Sequence, residues 1–181
     1  MNQDRDTNPC PLRPAVEGDC AALSLFVNAG YRGEASKAGW TTEADLLDGQ
    51  RVDADGLRDA VGKQGSVVLL HEAAGVILAC VALEQRLGDC HLGMLTVSPA
   101  RQANGLGRAL LAAAERYARE EFRATLMSMS VIVQRPELIA WYERRGYRRT
   151  GRFEPFPYGD ERFGLPRRPD LRFEILEKPL R

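Results

Sequence analysis

The chain has 181 residues, of which 44% are hydrophobic and 28% charged, a composition typical of one soluble globular domain. Its 25 basic and 25 acidic side chains balance, so bulk charge gives no support for binding nucleic acid or a membrane surface. Apolar runs are shorter than the roughly 18 residues that span a membrane, and the N-terminus lacks the apolar core of a secretory signal. We therefore expect a cytoplasmic protein with a disordered segment at residues 1–10 and a single domain at residues 11–181.

The four cysteines, Cys10, Cys20, Cys80 and Cys90, show no C-x-x-C spacing and have no histidine pair nearby. Structural zinc is therefore not expected, and we expect no metal cofactor. Without an export signal, reduced packing residues are favoured over a bridge between Cys80 and Cys90 across a hairpin.

Hydrophobic periodicity and turn residues predict the element order βααβββαβαββ. The first elements are an edge strand at Leu12-Arg13-Pro14, a helix capped by Asp19, a helix ending at Gly62, and strands at 67–70, 76–83 and 91–97. The later elements are a helix from Leu106 to about Glu121, a strand at 125–133, a helix from Pro136 to Gly146, and strands at 147–153 and 171–176. This order predicts one mixed sheet with helices on both faces.

One loop has the layout of an anion-binding cradle. The strand that ends at Val97 is followed by a polar stretch, and Gly105 and Gly107 then lead directly into a helix. Glycines let a ligand approach the backbone, and the first amides of a helix lack internal acceptors. A P-loop is not favoured because Arg108-Ala109 replace its Lys-Ser/Thr, and a dinucleotide fold is not favoured because the third glycine is missing. The loop therefore predicts another kind of phosphate-bearing ligand.

The same segment resembles the acyl-CoA-binding motif of the Gcn5-related N-acetyltransferase (GNAT) superfamily, Gln/Arg-x-x-Gly-x-Gly/Ala. Gln102, Gly105 and Gly107 match its three defining positions. Further along, AWYERRGY at 140–147 is similar to the family's FYEKxGF block. The resemblance implies an α/β fold with a mostly antiparallel central sheet, whose fourth and fifth strands splay apart to bind acyl-CoA. In this chain those two strands are His91–Val97 and Thr125–Val133.

The resemblance also implies the residues that hold acetyl-CoA. Backbone groups of Leu95, Thr96 and Val97 would bind the pantetheine arm. The pyrophosphate would lie on the amides of Gln102, Ala103, Asn104, Gly105, Leu106, Gly107 and Arg108, and the Arg108 side chain would reach the adenosine phosphates. Arg135 stands where the family often has an asparagine that contacts pantetheine; it either reaches a phosphate or faces solvent.

By the same resemblance, Tyr142 stabilises or protonates the departing CoA thiolate, a role that suits a phenol with an ordinary pKa of about 10. The alternative is a packed tyrosine whose hydroxyl bonds to the backbone. For the base that takes a proton from the incoming ammonium, Glu84 is favoured over His91, whose alternative role is that of a surface histidine. The acceptor site would form from residues 31–51 and 153–168, where acids, aromatics and arginines suit either a cationic or an anionic substrate.

The resulting hypothesis is an N-acetyltransferase that moves the acetyl group of acetyl-CoA to the amine of a small molecule or peptide. Transfer would be direct, since no cysteine lies beside the motifs to form an acyl-enzyme. O-acyl transfer, a different acyl length, or a CoA-binding sensor without catalysis remain alternatives. A homodimer is compatible with the family.

Overall fold

The structure is a computed structural model that describes residues 10–39 and 41–181. Residues 1–9, most of the segment predicted to be disordered, lie outside the described residues. Cys10, which that prediction included, is buried.

Nine strands and five helices follow one another within the described residues. They are β1 (Arg13–Pro14), α1 (Cys20–Tyr31), α2 (Gly33–Ser36), β2 (Leu47–Asp48), α3 (Ala54–Gly62), β3 (Ser66–Ala73), β4 (Val76–Arg86), β5 (Asp89–Val97), α4 (Leu106–Glu120), β6 (Leu126–Ile132), α5 (Pro136–Glu143), β7 (Arg148–Pro155), β8 (Leu165–Pro166) and β9 (Arg172–Pro179). The sequence did not predict the short elements α2, β2 and β8. Their two to four residues are too few to show a hydrophobic period.

Local contacts explain where two of the helices begin. The Asp53 side chain accepts a 2.7 Å hydrogen bond from the amide of Gly56 and caps α3. Asp19 was expected to cap α1 in the same way, but its carboxylate instead accepts hydrogen bonds from the Val16 amide and the Arg13 guanidinium. That prediction is wrong because a short 3-10 helix, Glu17–Asp19, precedes α1, and the Asp19 carboxylate bonds to the Val16 amide before it.

Seven strands form the central sheet in the order β1-β3-β4-β5-β6-β9-β7. Every neighbouring pair is antiparallel except β5 and β6, which are parallel. The prediction of a mixed, mostly antiparallel sheet is therefore confirmed. The short strands β2 and β8 pair with each other outside this sheet and form a small ribbon.

The parallel strands β5 and β6 separate along their length. They pair only where Asp89–His91 meets Leu126–Ser128, although β5 continues to Val97 and β6 to Ile132. A bulge in β5 accompanies this separation: the register with β4 shifts between Cys80 and Ala82, and Met94 has a φ of +54°. Because a bulge bends the strand that carries it, β5 leaves β6 and a V-shaped gap opens. The predicted splay is confirmed.

Helices cover both faces of the sheet. On one face α4 and α5 bury side chains such as Leu110, Ala114 and Ile139, and on the other α1 and α3 bury Leu23, Val27 and Leu57. A third, smaller cluster lies beneath the β2–β8 ribbon and contains Leu47, Ile132, Phe156 and Leu171. The sheet and its two helical layers thus form a rigid frame around the gap.

All four cysteines are free and buried. Cys80 faces Thr96 in the β4–β5 register and Cys90 faces Gln85, so the two are not opposite each other. Burial raises the pKa of the Cys80 and Cys90 thiols to about 12. They are packing residues. None of the described helices is both long and apolar enough to cross a membrane.

Candidate active site

Two cavities meet at the gap between β5 and β6. The first has a volume of about 250 Å³ and is called the glycine cavity, because Gly105 and Gly107 line it. The second has a volume of about 310 Å³ and is called the aromatic cavity, because Tyr31, Phe156, Phe163 and Phe173 line it. Their shared wall consists of Tyr31, Leu95, Arg135, Leu138 and Tyr142. A ligand in one cavity can therefore meet a ligand in the other at this wall.

The glycine cavity presents the start of α4. Gly105 precedes the helix with a φ of +76°, in the left-handed region that favours glycine. A Cβ at Gly107 would lie 3.6 Å from Trp141 and 3.7 Å from Val97, so the backbone runs close against the cavity wall. The first amides of α4 have no acceptor inside the helix and carry partial positive charge. With Arg108 beside them, they favour an anion.

Arg145 adds a second positive charge to this cavity. Its guanidinium lies 3.5 Å from the centre of the Trp141 ring and donates a 2.7 Å hydrogen bond to the Trp141 carbonyl. Its Nε is buried and has no hydrogen-bond partner among the described residues. Burial, together with Arg144 and Arg108, lowers the pKa of Arg145. Arg145 belongs to the block at 140–147, in which the resemblance implied no role for it.

Gln102 joins the loop before β2 to the end of β5. Its amide nitrogen donates to the Thr41 hydroxyl at 3.0 Å and to the Val97 carbonyl at 3.3 Å. Gly39 packs against it so closely that a Cβ there would lie 2.7 Å from the Gln102 side chain. Gln102 therefore positions the Thr41 loop over the cavity.

A buried ion-pair network lies behind the shared wall. Arg135 donates to Glu43 at 2.9 Å and to the Thr41 carbonyl at 2.6 Å, and Arg32 donates to the other oxygen of Glu43. All three charged side chains are buried. Burial alone would raise the pKa of Glu43, but Arg135, Arg51 and Arg32 outweigh it and hold the pKa below its usual range. Glu43 is therefore ionised and held by two arginines.

Tyr142 has a buried ring and an unpaired hydroxyl. The ring makes edge contacts with Trp141 at 4.9 Å and Tyr147 at 5.6 Å between centroids. Its hydroxyl makes no hydrogen bond to any described residue, whereas the Tyr31 hydroxyl in the same wall donates to the Leu95 carbonyl at 2.6 Å. Burial raises the pKa of Tyr142 above its usual range, so the phenol keeps its proton.

The comparisons with known proteins place the chain in a family. Residues 37–147 match the model of the Acetyltransferase (GNAT) family. The chain belongs to this family. No curated protein matches the sequence significantly.

Solved structures share the fold of this GNAT chain over almost its whole length. The putative acetyltransferase yncA from Salmonella typhimurium, solved with acetyl-CoA, is 22% identical with a TM-score of 0.68, and the alignment covers 94% of each chain. The ribosomal-protein-S18-alanine N-acetyltransferase from Escherichia coli is 16% identical with a TM-score of 0.68, covering 94% of this chain and 93% of that one. The ribosomal-protein-alanine N-acetyltransferase from Brucella melitensis is 20% identical with a TM-score of 0.68, and the alignment covers 94% of this chain and 99% of that one.

Most of the residues predicted to bind acetyl-CoA come together in this GNAT fold. Those lining the glycine cavity are Leu95, Val97, Gln102, Gly105, Gly107, Arg108 and Arg135. Those that do not line it are Thr96, Asn104 and Leu106, and the side chain of Ala103 is outside the part of the chain that the structure describes. Arg135 does not face solvent, as one alternative held, because Glu43 and Thr41 bind its guanidinium inside the protein.

The two candidate bases lie in different places. Glu84 lines neither cavity; its side chain is 36% exposed and pairs with Lys63 and Arg86. The hydrogen bond from Lys63 lowers its pKa. His91 lines the aromatic cavity, and burial followed by the charge of Arg86 lowers its pKa, so it is neutral near pH 7. The geometry does not support the preference for Glu84.

The two segments predicted to hold the acceptor contribute part of the aromatic cavity. From residues 31–51 the lining side chains are Tyr31, Arg32, Glu43, Leu47 and Arg51, and from 153–168 they are Glu154, Phe156 and Phe163. Several other charged residues of these segments pair at the surface, Glu34 with Lys37, Asp48 with Arg167 and Asp160 with Arg162. The sequence did not predict that Tyr31, Arg51 and Glu154 in particular line this cavity, because nothing in their local sequence distinguishes them from their neighbours.

Proposed function

We propose that this GNAT protein transfers the acetyl group of acetyl-CoA to the amine of a small molecule or peptide within a ternary complex. The observation that carries the proposal is the protonated, unpaired hydroxyl of Tyr142 at the wall where the two cavities meet. Such a group can donate to a leaving sulfur without first losing another hydrogen bond. The glycine cavity takes the acyl donor and the aromatic cavity takes the acceptor.

The glycine cavity has the features that acetyl-CoA requires. The pyrophosphate would lie on the amides between Gln102 and Arg108, which span the end of a 3-10 helix (Pro99–Asn104) and the start of α4. The Arg108 amide already donates to the Gly105 carbonyl at 3.0 Å, so the amides of Leu106 and Gly107 suit the anion best. Arg108 and Arg145 add positive charge, and the buried Nε of Arg145 is a donor without a partner in the described part of the chain. Beyond His91 no strand pairs with the edge of β5 that faces β6, so the backbone of 95–97 can bind an extended arm like an added strand. The Leu95 and Val97 carbonyls already accept one hydrogen bond each, from Tyr31 and Gln102, and keep a second lone pair for the arm.

When bound, acetyl-CoA supplies a thioester with an electrophilic carbonyl carbon and a thiolate leaving group. His91, neutral at the pH of the reaction, accepts through water the proton that the acceptor ammonium loses. The amine nitrogen then forms a bond to the acetyl carbon, and Tyr142 donates its proton to the sulfur as the carbon–sulfur bond breaks. The nitrogen releases its second excess proton as the amide forms, and this proton returns through water to the Tyr142 oxygen. The cysteines, all buried, line neither cavity, which supports direct transfer.

The first experiment is a calorimetric titration of the purified protein with acetyl-CoA, free CoA and NAD. We expect micromolar binding of acetyl-CoA and no binding of NAD. Amines and matched alcohols are then compared by thiol release and by the mass of the product. Preference for alcohols would favour O-acyl transfer, and binding without turnover on any acceptor would favour a sensor.

Three further expectations form part of the proposal. Residues 11–181 form a single domain, because one sheet carries helices on both faces and links the first strand to the last. The cytoplasmic location and the homodimer expected above belong to the proposal as well. Cell fractionation and sedimentation equilibrium test them.

A further inference from the structure

The aromatic cavity contains more positive than negative charge. Its lining includes the arginines Arg32, Arg51, Arg86 and Arg135 but only two carboxylates, Glu43 and Glu154. His91 adds no charge near pH 7 because its pKa is lowered. Because Arg86 pairs with Glu84 outside the lining, the other three arginines face two carboxylates and leave an excess of one positive charge, which disfavours a polycationic acceptor.

Glu43 is not available to bind a cationic amine. One of its oxygens accepts from Arg32 and the other from Arg135, and its side chain is only 8% exposed. Arg32 also donates to the Phe163 carbonyl at 3.4 Å, and its Nε is buried without a partner among the described residues. Glu43 therefore neutralises part of the arginine cluster, and Glu154 is the carboxylate left for a ligand.

Arg51 adds a positive charge beside this network: it helps to lower the pKa of Glu43 but forms no ion pair with that carboxylate. Its guanidinium carbon lies 5.7 Å from the centre of the Tyr31 ring, and in the described part of the chain no carboxylate lies within ion-pairing distance of it. Its backbone amide donates to Asn28 Oδ1 at 2.6 Å, which fixes the residue against α1. Tyr31 in turn bonds to Leu95 of β5. The Tyr31 side chain thus contacts both Arg51 and β5, the strand at which acetyl transfer is proposed.

Glu154 lies against the other strand of the gap. It belongs to β7 and accepts a 3.4 Å hydrogen bond from Ser130 of β6. Apolar side chains line the same cavity, among them Leu47, Met129, Val131, Phe156 and Phe173. The cavity therefore offers a cation on the β5 side, a carboxylate on the β6 side and an apolar wall.

We propose that the acceptor is a free α-amino acid with an apolar side chain. Its carboxylate binds Arg51, its ammonium lies toward Glu154 and His91, and its side chain packs against the aromatic wall. This inference rests on the proposed function, because it names the acceptor of the same reaction. Nothing else in the described cavity pairs with the Arg51 charge, and a carboxylate is the anion that a compact amine most simply carries.

Matched acceptors test the proposal. Leucine, methionine and phenylalanine are each compared with the amine that lacks the carboxylate and with the amino acid amide, and spermidine serves as the polycation. The readouts are initial thiol release and product mass. We expect kcat/KM for at least one amino acid to exceed that of its decarboxylated amine more than tenfold. Equal or faster turnover of the decarboxylated amines, the amides or spermidine overturns the proposal and leaves acetyl transfer standing.

A binding measurement separates this inference from the proposed function. Each amino acid is titrated by calorimetry into protein saturated with free CoA, so that no turnover is needed. If the amino acid binds but no thiol is released, the proposed acetyl transfer is wrong and the assignment of the ligand stands. If other amines cause thiol release and no apolar amino acid binds, the assignment of the acceptor is wrong and the proposed acetyl transfer stands.

Substitution of Arg51 identifies its contribution. Arg51→Gln should raise KM for the amino acid more than tenfold while changing KM for the decarboxylated amine less than threefold. Arg58→Gln is the matched control, because Arg58 is an exposed arginine of α3 that pairs with Asp55 and lines neither cavity. An equal effect of Arg51→Gln on both acceptors would remove Arg51 from carboxylate recognition.

Discussion

The hydroxyl of Tyr31 donates a 2.6 Å hydrogen bond to the carbonyl oxygen of Leu95, 64 residues later in the chain. Tyr31 is the last residue of α1, and Leu95 follows the Met94 bulge of β5. The bond therefore ties the end of a helix to the strand edge at which the two cavities meet. It also occupies one tyrosine hydroxyl of the shared wall and leaves the other, that of Tyr142, unpaired.

Tyr31→Phe should lower the free energy of unfolding by about 1–2 kcal/mol, because a buried carbonyl loses its donor. Urea denaturation measures the change. Tyr117→Phe is the control, since its hydroxyl bonds to no described residue and lies away from both cavities. We expect kcat of Tyr31→Phe to stay within about fivefold of the wild type. A larger loss of kcat would place Tyr31 in the chemistry.

Tyr142→Phe should lower kcat well over tenfold, because the leaving sulfur loses its proton donor. The dissociation constant of acetyl-CoA should change less than threefold, since the ring and its contacts with Trp141 and Tyr147 remain. Steady-state kinetics and calorimetry measure the two quantities. Unchanged kcat would remove Tyr142 from the mechanism.

Gly107→Asp should abolish binding of acetyl-CoA because it places a negative charge beside the pyrophosphate site. Gly107→Ala is the matched control: its Cβ would be in ordinary contact with Trp141 and Val97, at 3.6 and 3.7 Å, so the variant should fold and bind. Calorimetry compares the two. Gly105→Asp should also abolish binding, but its φ of +76° adds backbone strain, which makes Gly107 the sharper test. If folded Gly107→Asp still binds acetyl-CoA, the donor lies elsewhere.

Glu43→Gln should destabilise the protein by about 3–5 kcal/mol, because it leaves two buried arginines without their counter-charge. Glu34→Gln is the control, since Glu34 is exposed and pairs only with Lys37 at the surface. The pKa of Glu43 is lowered in the folded state, so its stabilising effect is present above the unfolded pKa of about 4.3 and is lost as the pH falls through the folded value. Denaturation at several pH values checks both statements.

His91 should produce the acidic limb of the pH profile of kcat/KM. Burial and Arg86 lower its pKa, whereas Glu84, Glu154 and Asp89 act in the opposite direction, and the net shift is downward. Activity should therefore rise with pH through a value below about 6.5, the ordinary pKa of histidine.

His91→Gln should lower kcat/KM and remove this limb. The other histidine, His71, is the matched control because it contacts Pro11 and lines neither cavity. A limb that persists in His91→Gln would assign the base to another group, with Glu154 the next to test.

Much of the fold could be predicted because its signals are local. The helical stripe of α4 and Pro136 at the start of α5 each depend on residues within a few positions of one another. The ribbon of β2 and β8 could not be predicted, because its two short strands lie more than 100 residues apart and form only where Leu47 meets Pro166.

The sequence by itself determined the mixed sheet, the glycine loop before α4 and the position of Tyr142 in a recognisable block, and the resemblance to the family implied the splayed strands. These are backbone features or motifs, and the residues within a few positions specify them. Only the tertiary structure decided which charged side chains line the site. Glu84 pairs with Lys63, 21 residues away, outside both cavities, and Arg135 pairs with Glu43, 92 residues away. An ion pair forms wherever the fold brings opposite charges within a few ångströms, and local sequence carries no information about that distance.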